Sequence, residues 1–286
     1  EMKNNFFICE GFKKKRDNNK KLIFYHTPKC AGTTICNILS NLITNSYRIY
    51  GPLTSLSGFK ENEKIDTSYD NFNKNIELIN KLKPNFLYGH IPYGLSKIFS
   101  NYLSVAMLRD PIKRSISHYN FKIQRSKKVQ SIDYFFEEGI IPDNIYVRQF
   151  SAKLKKKHIG RSDFELAKKN LCEEIDYIFN VEKSSDLLNL IISIYDLPNI
   201  IFQNQQVTQK YFFNDNFKNI NTIKKFNKYD IELYNYLSDK KIFFKMNNNL
   251  KSRKNELYFY WAQKKSINGK NKFIMNVSEA KKIITK

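Results

Sequence analysis

The chain has 286 residues and a mass of 34.0 kDa, and its hydrophobic content of 41% excludes a fully disordered protein. It contains no run of 18 apolar residues and no signal-peptide pattern near its start, so we expect a soluble, cytoplasmic protein without a membrane span. The formal net charge of +22 excludes an acidic protein, and it indicates either a surface that binds polyanions or a compositional bias toward lysine.

A short apolar strand and a helix form the first predicted unit. Lys21–His26 has the composition of a buried strand, and a turn containing Pro28 and Gly32 follows it. The next residues place apolar side chains on one helical face, with Thr33 or Thr34 expected to cap the first turn. This face consists of Ile35, Ile38, Leu39, Leu42 and Ile43.

Two further strands and two helices are predicted downstream. A helix is expected around "NKNIELINKLK", and residues Asn85–His90 and Leu103–Asp110 are typical of short buried strands. The second of these strands leads directly into a helix, because Pro111 suits a first helical position and apolar residues recur after it at helical spacing. These are Ile112, Ile116, Tyr119 and Ile123.

The remaining pattern continues the alternation of helices and strands. The stretches "NIYVRQFSAKLKKKH" and "FELAKKNLCEEI" are predicted helices, Asp176–Val181 a core strand, and "SSDLLNLIISIY" a helix with a serine cap. The alternation predicts an α/β fold: a single P-loop-like domain with a central, mostly parallel sheet flanked by helices. We expect this domain over residues 21–248, between a basic extension of residues 1–20 and a lysine-rich extension of residues 249–286.

Three polar clusters lie at the carboxyl ends of three predicted strands. They are "HTPKCAGTT", the pair Gly89-His90 and the pair Arg109-Asp110. Ligands of parallel sheets bind at the carboxyl ends of the strands. The sequence therefore predicts that the three clusters converge on one cleft.

The loop "HTPKCAGTT" has the features of a phosphate or sulfate site. A loop that opens a helix presents free backbone N–H groups and the positive end of the helix dipole. Lys29 adds a cation, Gly32 permits close approach, and Thr33 and Thr34 add hydroxyl donors. The lysine precedes a single glycine, so the loop is not a Walker A motif.

A second candidate anion site lies in "LRDPIKRSISHY". Arg109 at the end of a strand can bind a phosphate bidentately, and Ser117, two helical turns later, can complete the contact. An ion pair between Arg109 and Asp110 is the alternative. The four cysteines form no CxxC pair, which favours a reducing compartment, and nothing near Cys30 requires a nucleophile.

These motifs resemble those of a known enzyme family. "FYHTPKCAGTT" is similar to the 5'-phosphosulfate loop, and "LRDPIKRSISHY" to the 3'-phosphate motif, of sulfotransferases that use 3'-phosphoadenosine 5'-phosphosulfate (PAPS). The chain most resembles the family that contains the heparan and dermatan 2-O-sulfotransferases and their microbial relatives. The resemblance continues in the family's order at "YGHIPYG", "NIYVRQFSAK", "IDYIFNVEKSSDLL" and "YDIELY".

The resemblance implies roles for individual residues in binding the donor. Lys29 would lie near the oxygen that bridges phosphate and sulfur, where negative charge develops. The 3'-phosphate, which the product adenosine 3',5'-bisphosphate (PAP) retains, would be bound by Arg109 and Ser117. The 5'-phosphosulfate would be held by the backbone amides of Cys30, Ala31, Gly32, Thr33 and Thr34 and by the two threonine hydroxyls.

His90 in "YGHIPYG" matches the general base of the resembled family. An imidazole can take a proton from an acceptor hydroxyl at neutral pH as the oxygen attacks sulfur. We assign no catalytic role to His26, His118 or His158. The implied mechanism is a direct in-line displacement that needs no metal, and no His, Cys, Asp or Glu group has metal-ligand spacing.

Several points stay open at the level of the sequence. Arg114 and Arg148 either face the cleft or form salt bridges. The acceptor, expected to be a hydroxyl of a glycan or related molecule, is not identified by any motif, and neither is the oligomeric state. A nucleic-acid or polyanion binder and an ATP-dependent kinase are the competing interpretations, although the sequence contains no recognised nucleic-acid motif and no specific nucleic acid is expected.

Overall fold

The computed structural model describes residues 6–9, 21–49, 76–77, 79–99, 101–126, 128–154, 157–203, 217–244, 257–261 and 272–276. The chain divides into two compact units. The larger unit contains Lys20–Val181 and Thr208–Phe244, and the smaller unit contains Glu1–Asn19, Glu182–Val207 and Lys245–Lys286.

The strands are numbered in chain order. They are β1 (Phe6–Cys9), β2 (Lys21–His26), β3 (Ser46–Ile49), β4 (Phe86–Gly89), β5 (Tyr102–Leu108), β6 (Tyr177–Asn180), β7 (Asn199–Gln203), β8 (Leu257–Trp261) and β9 (Lys272–Asn276). The larger unit contains a five-stranded sheet in the order β3-β4-β2-β5-β6, and every neighbouring pair in it is parallel. The strands that precede the three predicted polar clusters, β4, β2 and β5, are therefore neighbours.

The helices of the described residues are also numbered in chain order. They are α1 (Gly32–Leu42), α2 (Leu95–Ile98), α3 (Pro111–Ser126), α4 (Ile132–Glu137), α5 (Ile145–Phe150), α6 (Arg161–Glu174), α7 (Ser184–Tyr195), α8 (Phe217–Phe226) and α9 (Lys228–Asp239). Residues 76–77 and 79–82 are also helical. None of the described helices is both long and apolar enough to cross a membrane.

The core of the larger unit lies on both faces of its sheet. All seven residues of β5 are buried, and successive side chains of a strand point to opposite faces, so both faces are covered. On one face, strand residues such as Ile23 and Ala106 pack with Tyr146 and Phe150 of α5 and with Leu171 of α6. The large apolar side chains of α5 thus fix a short helix against the sheet.

The smaller unit contains a four-stranded mixed sheet in the order β1-β7-β8-β9. β7 pairs with β1 in antiparallel and with β8 in parallel orientation, and β8 and β9 are antiparallel. Helix α7 lies against β1. None of these strands was predicted from the sequence. The domain boundaries predicted at residues 20 and 248 stay predictions.

The predicted fold class is confirmed, and three local predictions are wrong. Strand β2 has the predicted bounds, and β4, β6 and the helix that begins at Pro111 lie where they were expected. The helix predicted for "NIYVRQFSAKLKKKH" ends at Phe150, because Ala152 adopts a left-handed backbone with a φ of 57°. The predicted threonine cap of α1 and serine cap of α7 are absent, since Ala31 and Lys183 occupy the N-cap positions without capping side chains.

Candidate active site

The loop after β2 makes a tight turn into α1. The amide of Cys30 donates to the carbonyl of Thr27 at 3.2 Å, and Lys29 and Ala31 have positive φ angles of 70° and 54°. Because Ala31 provides no capping side chain, no side-chain cap occupies the N–H groups at the start of α1. Thr33, in this first turn, is exposed. The N-terminus of α1 therefore offers uncapped backbone donors and a positive dipole end at the edge of the sheet where β2 ends.

Three cations gather beside this loop. The Nζ atom of Lys29 lies 4.1 Å from the ring centroid of Phe121, and the Cζ atom of Arg125 lies 4.6 Å from the same centroid. The Nη1 atom of Arg109 donates to the carbonyl of Lys29 at 3.4 Å. Burial, followed by the charges of Arg109 and Arg125, lowers the pKa of Lys29 to about 8. The described groups that act on this pKa include no carboxylate, so no acid among them neutralises the charge of Lys29.

Two histidines pack against each other at the ends of β2 and β4. The ring centroids of His26 and His90 are 4.5 Å apart. Burial and the charge of Arg48 lower the pKa of His90 to about 4, and burial together with His90, Arg48 and Lys29 lowers the pKa of His26 well below its ordinary value. Both imidazoles are therefore neutral at pH 7, the protonation state that a general base requires.

Glycines permit the close packing around these histidines. A Cβ atom on Gly32 would lie 1.9 Å from Cδ2 of His26, so the ring occupies space that only glycine leaves open. Gly89 has a φ of 152°, and a Cβ atom there would lie 1.8 Å from the carbonyl oxygen of Ile49. The residue immediately before His90 must therefore be glycine for β3 and β4 to pair as they do.

The 3'-phosphate candidates lie at the start of α3. Arg109 follows β5, and Ser117 is half-buried in the second turn of α3. The carboxylate of Asp110 accepts a hydrogen bond from the amide of Lys113 at 2.8 Å, which caps α3. Among the described residues, Arg109 forms no ion pair with Asp110, so the guanidinium is not neutralised by its neighbour in the sequence.

The arginines left open by the sequence are engaged within the protein. Arg148 forms an ion pair with Asp143, with 2.5 Å between Nη2 and Oδ1. Arg114 is fully buried, and its Nη2 atom donates to the side chains of Ser115 and Asn227. Among the described residues, no group of three or more His, Cys, Asp or Glu side chains is arranged to hold a metal ion.

Four residues for which the sequence predicted no functional role also belong to this region. They are Phe121 and Arg125 on α3, and Tyr146 and Gln149 on α5. Phe121 and Arg125 follow Ser117 at intervals of four residues, so the three side chains lie on one face of α3. The sequence therefore contained a helical spacing that could have indicated Phe121 and Arg125. Tyr146 and Gln149 contact residues far away in the chain, and no local pattern indicates such contacts.

Comparisons with known proteins identify the family of the chain. The sequence profile described as Sulfotransferase family matches residues 15–237, which is most of the chain. The chain is also 32% identical over 109 residues to proteins named heparan sulfate 2-O-sulfotransferase 1 from Cricetulus griseus, Cricetulus longicaudatus and Mus musculus. These matches cover 35% of this chain and 28% of the length of each relative. On the extent of the profile match, the chain belongs to the Sulfotransferase family.

Proposed function

We propose that the protein is a PAPS-dependent sulfotransferase that transfers a sulfuryl group to a hydroxyl of a glycan or a related acceptor. The observation that carries this proposal is the cluster of Lys29, Arg109 and Arg125 beside the start of α1, in which no carboxylate of the described residues acts on the pKa of Lys29. Like charges held close together in a partly buried site are unfavourable until an anion neutralises them. The site thus fits a ligand with several negative charges.

The residues present fit the two charged ends of the donor. The backbone amides that begin α1, with the hydroxyls of Thr33 and Thr34, suit a 5'-phosphosulfate. Arg109 at the end of β5 and Ser117 on α3 suit the 3'-phosphate. Family membership supports sulfuryl transfer in general, and this pairing of two anion sites is what favours PAPS over other sulfuryl donors.

His90 and Lys29 have complementary roles in the proposed step. When bound, PAPS supplies the sulfuryl group. His90 takes the proton of the acceptor hydroxyl on a ring nitrogen, while the acceptor oxygen bonds to sulfur and the bond from sulfur to the bridging phosphate oxygen breaks. Lys29 stabilises the negative charge left on that phosphate oxygen of PAP.

The names of the relatives suggest the first acceptors to test. The matched proteins are named for transfer to the 2-O position of heparan sulfate, so a glycan hydroxyl is the proposed acceptor class. Desulfated heparan sulfate and dermatan form a reasonable first panel, tested with labelled PAPS. The acceptor panel is read separately from donor binding, because the two parts of the proposal can fail independently.

Calorimetric titration with PAP tests the donor site directly. PAP should bind the wild-type protein much more tightly than AMP, because AMP lacks the 3'-phosphate. Arg109→Ala should remove most of this difference, whereas Arg161→Ala, which removes an exposed arginine paired with Glu165 and Glu232, should not. Equal affinity for PAP and AMP, or no binding by the folded protein, would refute the assignment of the donor.

Replacement of His90 tests the transfer step. His90→Ala should retain the affinity for PAP and lose about 100- to 1,000-fold in turnover, which is within the usual range for a general base. Near wild-type turnover by this variant would exclude His90 as the base.

A further inference from the structure

We propose that helix α5 positions the reacting groups of the site, with Gln149 setting the separation of the His90 loop from the Lys29 loop and Tyr146 fixing Arg109. This inference rests on the proposed function for its kinetic consequences. The contacts that support it are independent of any ligand. They join the segments that follow three neighbouring strands, β4, β2 and β5.

Gln149 connects the loop after β2 to the loop after β4. Its Oε1 atom accepts a hydrogen bond from the hydroxyl of Thr27 at 2.5 Å, and its Nε2 atom donates to the carbonyl of Ile91 at 2.9 Å. Its backbone carbonyl accepts a third hydrogen bond from the amide of Tyr93, also at 2.9 Å. Thr27 lies two residues before Lys29, and Ile91 directly follows His90. One buried amide group thus bonds both loops, using its acceptor for one and its donor for the other.

Tyr146 connects the loop after β2 to the end of β5. Its hydroxyl donates to the carbonyl of Arg109 at 2.6 Å and accepts from the amide of Arg109 at 3.0 Å. The same oxygen lies 3.4 Å from the Sγ atom of buried Cys30. A single hydroxyl therefore fixes the backbone from which the Arg109 guanidinium extends.

Helix α5 is itself firmly anchored. The Asp230 carboxylate accepts hydrogen bonds from the amides of Tyr146 and Val147, which lie in the first turn of α5. In return, the side-chain oxygen of Asn144 accepts from the amides of Tyr229 and Asp230, at the start of α9. The two helices cap each other, so α5 is held by hydrogen bonds as well as by its buried apolar side chains.

The two connections should have different kinetic signatures. In-line displacement is sensitive to the placement of the base, and an error of about 1 Å can cost about 100-fold in rate. Gln149 joins the base loop to the donor loop, so its loss should reduce turnover more than donor affinity. Tyr146 supports Arg109, so its loss should weaken donor binding more than turnover.

The Gln149→Met variant tests the first connection, because methionine has a similar length but forms neither hydrogen bond. We expect turnover at saturating donor to fall about 10- to 100-fold, while the dissociation constant of PAP changes less than about threefold. Ser104→Ala is the matched control. It removes part-buried hydrogen bonds to Glu174 and Asp176 near the amino end of β5, the end opposite to Arg109.

The Tyr146→Phe variant tests the second connection. We expect the dissociation constant of PAP to rise about tenfold and turnover at saturating donor to change less than about threefold, because the hydrogen bonds to the Arg109 backbone are lost. Tyr102→Phe is the control, since the hydroxyl of Tyr102 donates to the carbonyl of Pro84 at the amino end of the sheet. Thermal melting of all four variants verifies that they fold.

A readout without substrate separates this inference from the proposed function. In ¹³C-labelled protein, the His90 ring signals should shift in Gln149→Met and stay in place in Ser104→Ala. Equal turnover and equal His90 signals in Gln149→Met and Ser104→Ala would overturn the positioning role of Gln149. Equal PAP affinity in Tyr146→Phe and Tyr102→Phe would overturn the positioning role of Tyr146. If the wild-type protein binds no PAP, the proposed function fails, and the His90 signals still decide whether Gln149 positions this loop.

Discussion

Replacing Gly32 with alanine is expected to misplace His90 without unfolding the protein. Gly32 begins α1 with ordinary helical backbone, where alanine is intrinsically favoured over glycine by about 1 kcal/mol. Its new Cβ atom would, however, lie 1.9 Å from the His26 ring, and ordinary contacts begin at 3.4 Å, so the ring must move by about 1.5 Å. His26 is buried and its ring centroid is 4.5 Å from that of His90, so His90 must move as well. If His90 moves by about 1 Å, turnover should fall about 100-fold.

A double-mutant cycle with single-turnover transfer measures this effect. In a His26→Ala background the obstructing ring is absent, so adding Gly32→Ala should cost less than about threefold. Gly160→Ala is the control glycine substitution, because its Cβ atom would meet only the carboxylate of Asp163, at 3.9 Å. If Gly32→Ala costs the same factor with and without the His26 ring, the steric argument is wrong.

Three further predictions concern protons and charge. The pKa of Lys29 is lowered to about 8, and a bound anion raises it, so the protein should take up about half a proton when PAP binds at pH 8. Calorimetry in buffers of different ionisation enthalpy measures this uptake, and Lys29→Met should abolish it. Because the pKa of His90 is lowered to about 4, the neutral ring contributes stability that is present above pH 6.5 and lost as the pH falls toward 4. The free energy of unfolding lost in this way is about 3 kcal/mol in total. His90→Gln should therefore flatten the dependence of the free energy of unfolding on pH, measured with urea. Burial raises the pKa of Asp230 to about 6, so the folded protein binds this proton more readily than the unfolded chain, which increases stability as the pH falls from 6 to 4. Asp230→Asn removes this increase and should therefore steepen the loss of stability between pH 6 and 4. Unchanged slopes in either variant, or no proton uptake by the wild-type protein, would contradict these assignments.

The sequence predicted the central strands well because their signals are local. The apolar run of β2 is followed by a turn, and Pro111 marks the start of α3. The edge strand β3, with the sequence SYRI, was missed because it is short and only Ile49 in it is buried. The end of α5 was missed for a different reason. Lys153 N–H bonds the carbonyl of Arg148 and Ala152 N–H bonds that of Gln149, which is a Schellman arrangement with alanine at the position usually taken by glycine.

The candidate site was predictable where parallel topology determines it. Once β2, β4 and β5 are neighbouring parallel strands, the residues that follow them must share one edge of the sheet, which brings Lys29, His90 and Arg109 into one region. The connection through Gln149 was not predictable, because Thr27 and Gln149 are 122 residues apart and each is unremarkable in its own segment. Such contacts follow from the packing of α5, which only the three-dimensional structure reveals.

The contacts of α5 also explain how the loop after β2 tolerates its own strain. Lys29 and Ala31 adopt positive φ angles without being glycine, which costs about 1–2 kcal/mol for each residue, and the cations gathered there repel one another. Such a loop persists only if its surroundings hold it. Thr27 precedes the strained residues and is bound by Gln149, and Cys30 lies between them and contacts Tyr146. The two side chains that we propose to align the reacting groups therefore also hold this loop in a conformation that leaves its amides and its lysine available to an anion.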